Sequence, residues 1–345
     1  MSWLEHELAE QPEALARLLE AETERARGLA AEIGAAAPQY LLIASRGSSS
    51  NAARYAQYVL GSANGIPVAF ATPSLYTLYH APPRLDGSVV IGISQSGASP
   101  DVAAVVAEGR RQGRPTIAIT NDPASPLAAN ADHVLALHAG RERAVAATKT
   151  YVNSLAAIAL LSCLLARDER RLDELRAMPE RLQAQLDRSL AQAERLDAYG
   201  DADAATVVAR GVNYGTAFEV ALKIRELSGV LVEAYSPADL MHGPIAALGP
   251  GRLAILLAPS GPAAVSVAAC ADALRERGAM LIGIGDDKTL LARVDTGLEL
   301  VGQTPEWLSP LVAVVPGQVA AHRLALRRGI DVDRPLGLEK VTLTR

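Results

Sequence analysis

The 345-residue sequence predicts an α/β protein built from two tandem, doubly wound parallel sheets, each a three-layer α-β-α domain. Three observations predict it. Short continuous apolar runs alternate with stretches long enough for a crossover helix, the pattern of parallel strands buried on both faces. The pattern occurs twice, because Gly47 and Gly211 each follow an apolar run, as do Ser96-Gly97 and Ser260-Gly261, and both pairs lie 164 residues apart (211 − 47, 261 − 97). Strand ends and their loops are what a duplicated unit keeps in register. The length also exceeds what one hydrophobic core usually serves, so two domains of roughly 150 residues are expected.

Each element has a local reason. Residues 1–36 form a helical lead-in: Ser2 and Glu5 make a capping box, and Leu and Ala recur at helical spacing between Leu4 and Ile33, with Pro12 dividing two helices. The first domain, 37–167, opens with the run Tyr40-Leu41-Leu42-Ile43-Ala44, which stops at Gly47-Ser48-Ser49-Ser50 as a buried strand stops at a ligand loop. A helix through Tyr55 and Leu60 follows, then apolar runs at 68–71, 88–94, 116–120 and 133–137, with 101–112 long enough for a crossover helix. Residues 168–200 are rich in Arg, Glu, Leu and Ala at helical spacing and predict an amphipathic connecting helix or pair. The second domain, 201–328, repeats the first, with Ile117-Ala118-Ile119-Thr120-Asn121 answered by Ile282-Gly283-Ile284-Gly285-Asp286. A tail, 329–345, ends the chain.

Composition narrows the function. Half the residues are apolar and 21% charged, with 33 basic against 38 acidic side chains interspersed and a net charge of −5. That leaves no electrostatic footprint for nucleic acid or an anionic membrane, so the expected partner is a small molecule. Aromatic residues make up 4%, too few for stacking platforms. Cys163 and Cys270 lie far apart in Ala/Leu-rich stretches and read as buried small hydrophobes rather than a disulfide or metal site. The start, Met1-Ser2-Trp3-Leu4-Glu5, has acids where a signal peptide needs basic residues, and the longest apolar run, 156–166, falls short of the roughly 20 residues of a membrane span. A cytoplasmic protein is expected.

The chemistry starts at Ser94-Gln95-Ser96-Gly97-Ala98-Ser99-Pro100-Asp101, between the run ending at Ile93 and a helix. A serine-rich stretch is commonly a turn or cap. At the carboxyl end of a parallel strand, however, the hydroxyls of Ser94, Ser96 and Ser99 can donate to a phosphate, Gly97 lets the main chain approach, and the next helix adds unpaired N–H groups. Ser48 and Ser49, at another strand end, can close on the same anion, and no lysine is required. Sugar phosphates are the natural guests of such a nest.

Gly47-Ser48-Ser49, the Ser-Gln-Ser-Gly run at 94–97 and Ala144-Val145-Ala146-Ala147-Thr148-Lys149 resemble the sugar isomerase (SIS) family. The likeness, over nearly the whole chain, is to double-SIS proteins such as the isomerase half of glucosamine-6-phosphate synthase and the SIS-type amino sugar phosphate deaminases. The resemblance implies that Ser49, Ser94, Gln95, Ser96 and Ser99 bind phosphate and that Val145 and Ala147 line the sugar. Ala147 stands where the family usually has serine.

Moving a proton between adjacent sugar carbons requires a base over C1 and C2, a task suited to a partly buried carboxylate. Glu219, Lys223 and Glu226, at i, i+4 and i+7, share one helical face, a spacing equally suited to an exposed salt-bridge ladder. The match of Ala221-Leu222-Lys223-Ile224-Arg225-Glu226 to the family implies that Glu226 is the enolisation base and Lys223 a neighbouring active-site lysine. His242, in Leu240-Met241-His242-Gly243-Pro244, is implied to open the pyranose ring and to act across subunits of a homodimer. The ending through Gly337-Leu338-Glu339-Lys340-Val341-Thr342 resembles the family's closing tail over the active site, whose lysine, here Lys340, forms a Schiff base at the ketose carbonyl.

The synthase needs an amino-terminal glutaminase domain, whereas this sequence begins with the helical lead-in. Deamination is therefore the expected direction: glucosamine 6-phosphate plus water gives fructose 6-phosphate plus ammonia, with no metal or organic cofactor, because the substrate's own imine serves as electron sink. Another SIS isomerase, a galactosamine 6-phosphate deaminase, a deglycase and a sugar-phosphate sensor without turnover are the alternatives.

Overall fold

The computed structural model describes every residue except 303, 336, 339 and 341–345. The helical lead-in consists of α1 (Trp3–Ala9) and α2 (Gln11–Ala36). The capping box is reciprocal: Ser2 N–H donates to Glu5 Oε2 at 2.7 Å and Glu5 N–H to Ser2 Oγ at 3.1 Å.

Among the described residues, ten strands form two five-stranded parallel sheets. The first contains β1 (Tyr40–Ser45), followed by α3 (Gly47–Asn64); β2 (Val68–Phe70), followed by α4 (Ser74–Thr77); β3 (Ser88–Ile93), followed by α5 (Pro100–Arg111); β4 (Thr116–Thr120), followed by α6 (Pro126–Asn130); and β5 (His133–Ala136), followed by α7 (Lys149–Ala166). The connection runs through α8 (Glu169–Arg176), α9 (Met178–Ala191) and a 3₁₀ turn, Ala193–Tyr199. The second contains β6 (Ala204–Val208) with α10 (Tyr214–Ser228), β7 (Leu231–Tyr235) with α11 (Pro237–Met241), β8 (Leu253–Ala258) with α12 (Ala264–Glu276), β9 (Met280–Gly285) with α13 (Lys288–Leu291), and β10 (Thr296–Glu299) with α14 (Ser309–Arg327).

The strand orders, β2-β1-β3-β4-β5 and β10-β9-β8-β6-β7, are one topology used twice, since β6 to β10 stand where β1 to β5 do. Three matched strand ends in the sequence thus mark a duplicated fold. The β1–β3 pairing runs from Tyr40 with Ser88 to Ser45 with Ile93, and alternate side chains serve opposite faces. Leu42, Ala44, Val90 and Ala118 pack on Val102, Val105 and Val106 of α5 and Leu127 of α6. On the other face α7 packs against α2 and α3, and Asn153 of α7 donates to the carbonyls of Ala14 (2.9 Å) and Leu137 (2.7 Å). In the second sheet Val208, Ala254, Leu256 and Leu281 pack on Val267, Cys270, Ala271 and Leu274 of α12.

α7 is long and apolar enough to cross a membrane by composition, yet 89% of it is buried inside the protein, as befits a core helix. Both cysteines are free and buried, and burial pushes their thiols up, to about 12 for Cys163 and about 11 for Cys270. Neither is a thiolate at neutral pH.

By compactness the chain divides into two units: Glu10–Arg143 with Ala147–Pro179 and Glu339–Arg345, and Glu180–Leu338 with Met1–Ala9 and Ala144–Ala146. The first helix thus belongs with the second sheet, where the main-chain N–H groups of Trp3 and Leu4 donate to Asp333 at 2.9 and 3.3 Å.

Candidate active site

In the first sheet β1 and β3 are neighbours, and their connections leave in opposite directions, to β2 and to β4. The crevice at their carboxyl ends is the switch point where open α/β sheets take ligands. Ser94 to Ser99 lie there. Gly97 has φ +60°, and its N–H donates to both the carbonyl and Oγ of Ser94 at 3.2 Å, while Ala98 N–H donates to Ser96 Oγ at 3.2 Å. A hydroxyl that accepts from its own loop still has its proton to donate, so this bonding leaves the donor side of Ser94 and Ser96 uncommitted to these contacts. The carbonyl of Gln95 accepts from Asn121 N–H at 3.1 Å and Thr120 Oγ1 at 3.3 Å, pinning the loop to the end of β4. Ser99 is the N-cap of α5 by position, but its side chain does not cap, and Pro100 starts the helix.

Ser48 and Ser49 require a correction. They are not in a loop: α3 begins at Gly47, whose φ of +52° turns the chain straight from β1 into helix, so both serines occupy the first helical turn and are half-buried. Their main-chain N–H groups therefore belong to the end of α3 that carries partial positive charge.

The loop leaving β5 holds a residue the sequence reading missed. Glu142 has a fully buried side chain whose Oε1 accepts the N–H groups of Thr148 (2.9 Å) and Thr150 (3.2 Å), and whose Oε2 accepts Thr150 Oγ1 (2.7 Å) and Lys340 Nζ (2.8 Å). Burial alone would raise this carboxyl, but the Lys340 charge and these donors outweigh it and hold it below its ordinary value. Lys149 is buried as well, bonded to Glu10 and, at 2.8 Å, to the carbonyl of Arg141. Ala147 is half-buried in this unit, and Val145, also half-buried, falls in the other. Of the tail motif, Lys340 is described through its contact with Glu142, while Leu336, Glu339 and 341–345 lie outside the described residues.

In the second unit, α10 resolves the ambiguity of its charge spacing. Glu219 and Lys223 are 0% and 2% exposed and Glu226 is 24% exposed, so this is no solvated ladder. Lys223 Nζ lies 2.5 Å from Glu226 Oε2 and 3.5 Å from Glu219 Oε1. One ammonium thus faces two carboxylates, one sealed and one open to solvent. His242 stands exposed just after α11, its N–H closing the last turn on the Asp239 carbonyl at 3.2 Å, and Gly243 (φ +150°) and Pro244 turn the chain away. Among the described residues no hydrogen bond joins its ring to Glu226, and no group of three His, Cys, Asp or Glu side chains is placed to hold a metal ion.

The SIS domain family matches this chain twice, over residues 36–163 and 199–324. The isomerizing glutamine–fructose-6-phosphate aminotransferase of Symbiobacterium thermophilum is 31% identical over 353 residues, covering 97% of this chain and 58% of the relative, so the chain spans a little over half that protein's length. Among solved structures, a protein of Silicibacter pomeroyi DSS-3, provisionally described as a phosphosugar isomerase, has a TM-score of 0.87 and 31% identity, covering 96% of this chain and 100% of that one. The C-terminal domain of glucosamine-fructose-6-phosphate aminotransferase from Francisella tularensis has a TM-score of 0.84 and 26% identity, covering 97% and 98%. With one SIS match on each parallel sheet and relatives aligned along nearly its whole length, the chain belongs to the SIS domain family as a double-SIS protein.

Proposed function

We propose that this chain is an amino sugar phosphate deaminase that converts glucosamine 6-phosphate and water to fructose 6-phosphate and ammonia. Ser94, Ser96 and Ser99, with Ser48, Ser49 and Gln95, hold the phosphate, and Val145 and Ala147 contact the sugar. His242 opens the ring. Glu226 removes the proton from C2 of the open-chain amino aldose and returns it to C1, leaving a C2 ketimine that water hydrolyses to the ketose and ammonia. Lys223 balances the charge on Glu226, and Lys340 serves the ketose carbonyl. The protein works as a homodimer in a reducing cytoplasm, where two buried free thiols are at home.

The observation that carries the reading is the burial of Lys223 beside Glu219 and Glu226, because a desolvated ammonium next to a partly exposed carboxylate is the equipment of proton transfer rather than of solubility. The names of the aminotransferase relatives, which carry fructose-6-phosphate and, for the Francisella tularensis domain, glucosamine, agree with it. The test is to incubate purified protein with glucosamine 6-phosphate and, separately, its C4 epimer, and to measure ammonia and ketose phosphate. Equal yields of both products from the gluco substrate are expected. No ammonia from either substrate overturns the proposal.

A further inference from the structure

The serine cradle has a cation at its edge that the hydroxyl-and-amide reading did not require. Arg46 is the single residue between β1 and α3 and takes the N-cap position of α3, directly before the turn that carries Ser48 and Ser49. Its Nε and Nη2 lie 2.8 and 2.7 Å from Oδ2 of Asp101, in the first turn of α5 just after Ser99. The ion pair therefore spans the two neighbouring strand ends whose helices frame the crevice.

The two partners are unequally exposed. The Asp101 side chain is 1% exposed and its Oδ1 accepts the Val102 N–H at 2.9 Å, whereas the arginine side chain is 51% exposed. A guanidinium has five N–H donors in a rigid fork. With one edge fixed on a buried carboxylate, the other is oriented before any ligand arrives, and it lies beside a nest that otherwise offers hydroxyls and main-chain amides.

The duplication supplies a comparison. The positions 164 residues further on are Arg210 and Val265 (210 − 46, 265 − 101), and those matching Ser94 and Ser99 are Ala258 and Ala263 (258 − 94, 263 − 99). Arg210 is again an N-cap, of the turn Gly211–Asn213, but Val265 is 77% exposed and carries no charge. The carboxylate that aims the arginine is present in the repeat that has Ser94 and Ser99 and missing from the other, which of the three loop serines keeps only Ser260 at the position of Ser96 (260 − 96 = 164).

We propose that Arg46, aimed by Asp101, is a phosphate ligand that gives this cradle its preference for a dianion. The inference rests on reading the 94–99 loop as the phosphate site. A sugar phosphate carries close to two negative charges at neutral pH, and a half-open nest of neutral donors leaves that charge without a counter-ion.

The alternative is that Arg46 only neutralises Asp101, and calorimetric titration of the full chain with inorganic phosphate separates the two. A ligand role predicts that Arg46→Gln weakens phosphate binding about tenfold or more and flattens its salt dependence, as the loss of a charge-assisted bond should. It also predicts that Asp101→Asn, which keeps the guanidinium but loosens its aim, weakens phosphate binding clearly less than Arg46→Gln does. Arg46→Lys should retain part of the affinity. Arg46→Gln binding phosphate as tightly as the parent overturns the inference, and so does Asp101→Asn losing as much as Arg46→Gln. A parent chain that binds no phosphate overturns the serine-cradle reading itself, an outcome distinct from these.

Discussion

Lys340 Nζ sits 2.8 Å from Oε2 of Glu142, a carboxylate with no exposed side-chain surface that also accepts three donors from Thr148 and Thr150. One buried acid thus fixes both the start of α7 and the lysine of the tail. Replacing Glu142 by Ala strands these three donors and the Lys340 ammonium and is expected to cost about 2–4 kcal/mol in urea unfolding. Glu142→Gln keeps the shape and one accepting oxygen and should cost less, while releasing Lys340, which hydrogen exchange of the tail peptide would register. Unchanged exchange in Glu142→Gln would show that the carboxylate does not hold the tail.

The same pair sets an acid-stability limb. In the folded chain the Glu142 carboxyl titrates below its ordinary 4.5. Its contribution to stability is therefore complete above that value and is lost as pH falls through the lower folded value. Urea midpoints of the parent should drop as pH is taken from about 5 towards 3, and Glu142→Gln should drop less steeply over that window. Parallel profiles would contradict the assignment.

On α10, Lys223→Met removes the ammonium that faces the sealed carboxylate of Glu219. A loss of about 3 kcal/mol or more is expected, which in a domain of this size lowers the melting temperature by roughly 6 °C or more. Adding Glu219→Gln should restore part of it, because the buried negative charge that faced the ammonium is removed as well. Glu226 is different, being partly exposed. Glu226→Gln should melt close to the parent and bind phosphate normally, yet lose turnover, and retained turnover would remove it as the base.

Gly97 tests the loop. Its φ of +60° costs an L-residue about 1–2 kcal/mol, and a Cβ there would lie 2.0 Å from Ser125 Oγ, the hydroxyl that caps α6 on Ala128 N–H. Gly113→Ala is the control, since φ is +68° but nothing lies within 4 Å. Gly97→Ala should lose stability beyond the control and also lose phosphate affinity. Equal losses in thermal melts and unchanged phosphate titrations would show that the loop tolerates the side chain.

How much of this was readable beforehand follows from where each signal lives. β1, β3, β4, β8 and β9 are buried on both faces, so their apolar runs are unbroken and unmistakable. β7 and β10 left no such run: in β7 the exposed Glu233 interrupts the apolar residues, and in β10 Thr296-Gly297 has little strand character. The serines of 94–99 stood out as a polar run at a strand end. Glu142 did not, because its partners come from 148–150 and from position 340, and no local spacing announces a contact across 198 residues. The burial of Lys223 was equally hidden, since i, i+4, i+7 spacing is the same on a wet and a dry face.

The packing of α10 on α14 gives the last prediction, because it sets the helix that carries Glu219, Lys223 and Glu226. Gly317, in the buried body of α14, faces Val220 so closely that an added Cβ would come within 2.3 Å of Val220 Cγ2. Helical backbone conformation would favour alanine by about 1 kcal/mol, but overpacking a tight core contact costs about 1–3 kcal/mol, so the clash should win. Gly317→Ala is therefore expected to destabilise. Val220→Ala alone leaves a small void and should also destabilise. Combined, the added methyl occupies part of the space that Val220 vacates, so the double variant should be more stable than the sum of the two losses predicts, with a coupling of about 1 kcal/mol or more in a urea double-mutant cycle. Additive losses would mean that the helices separate to relieve the contact, and if Glu226 is the proposed base, Gly317→Ala would then lose turnover without touching it.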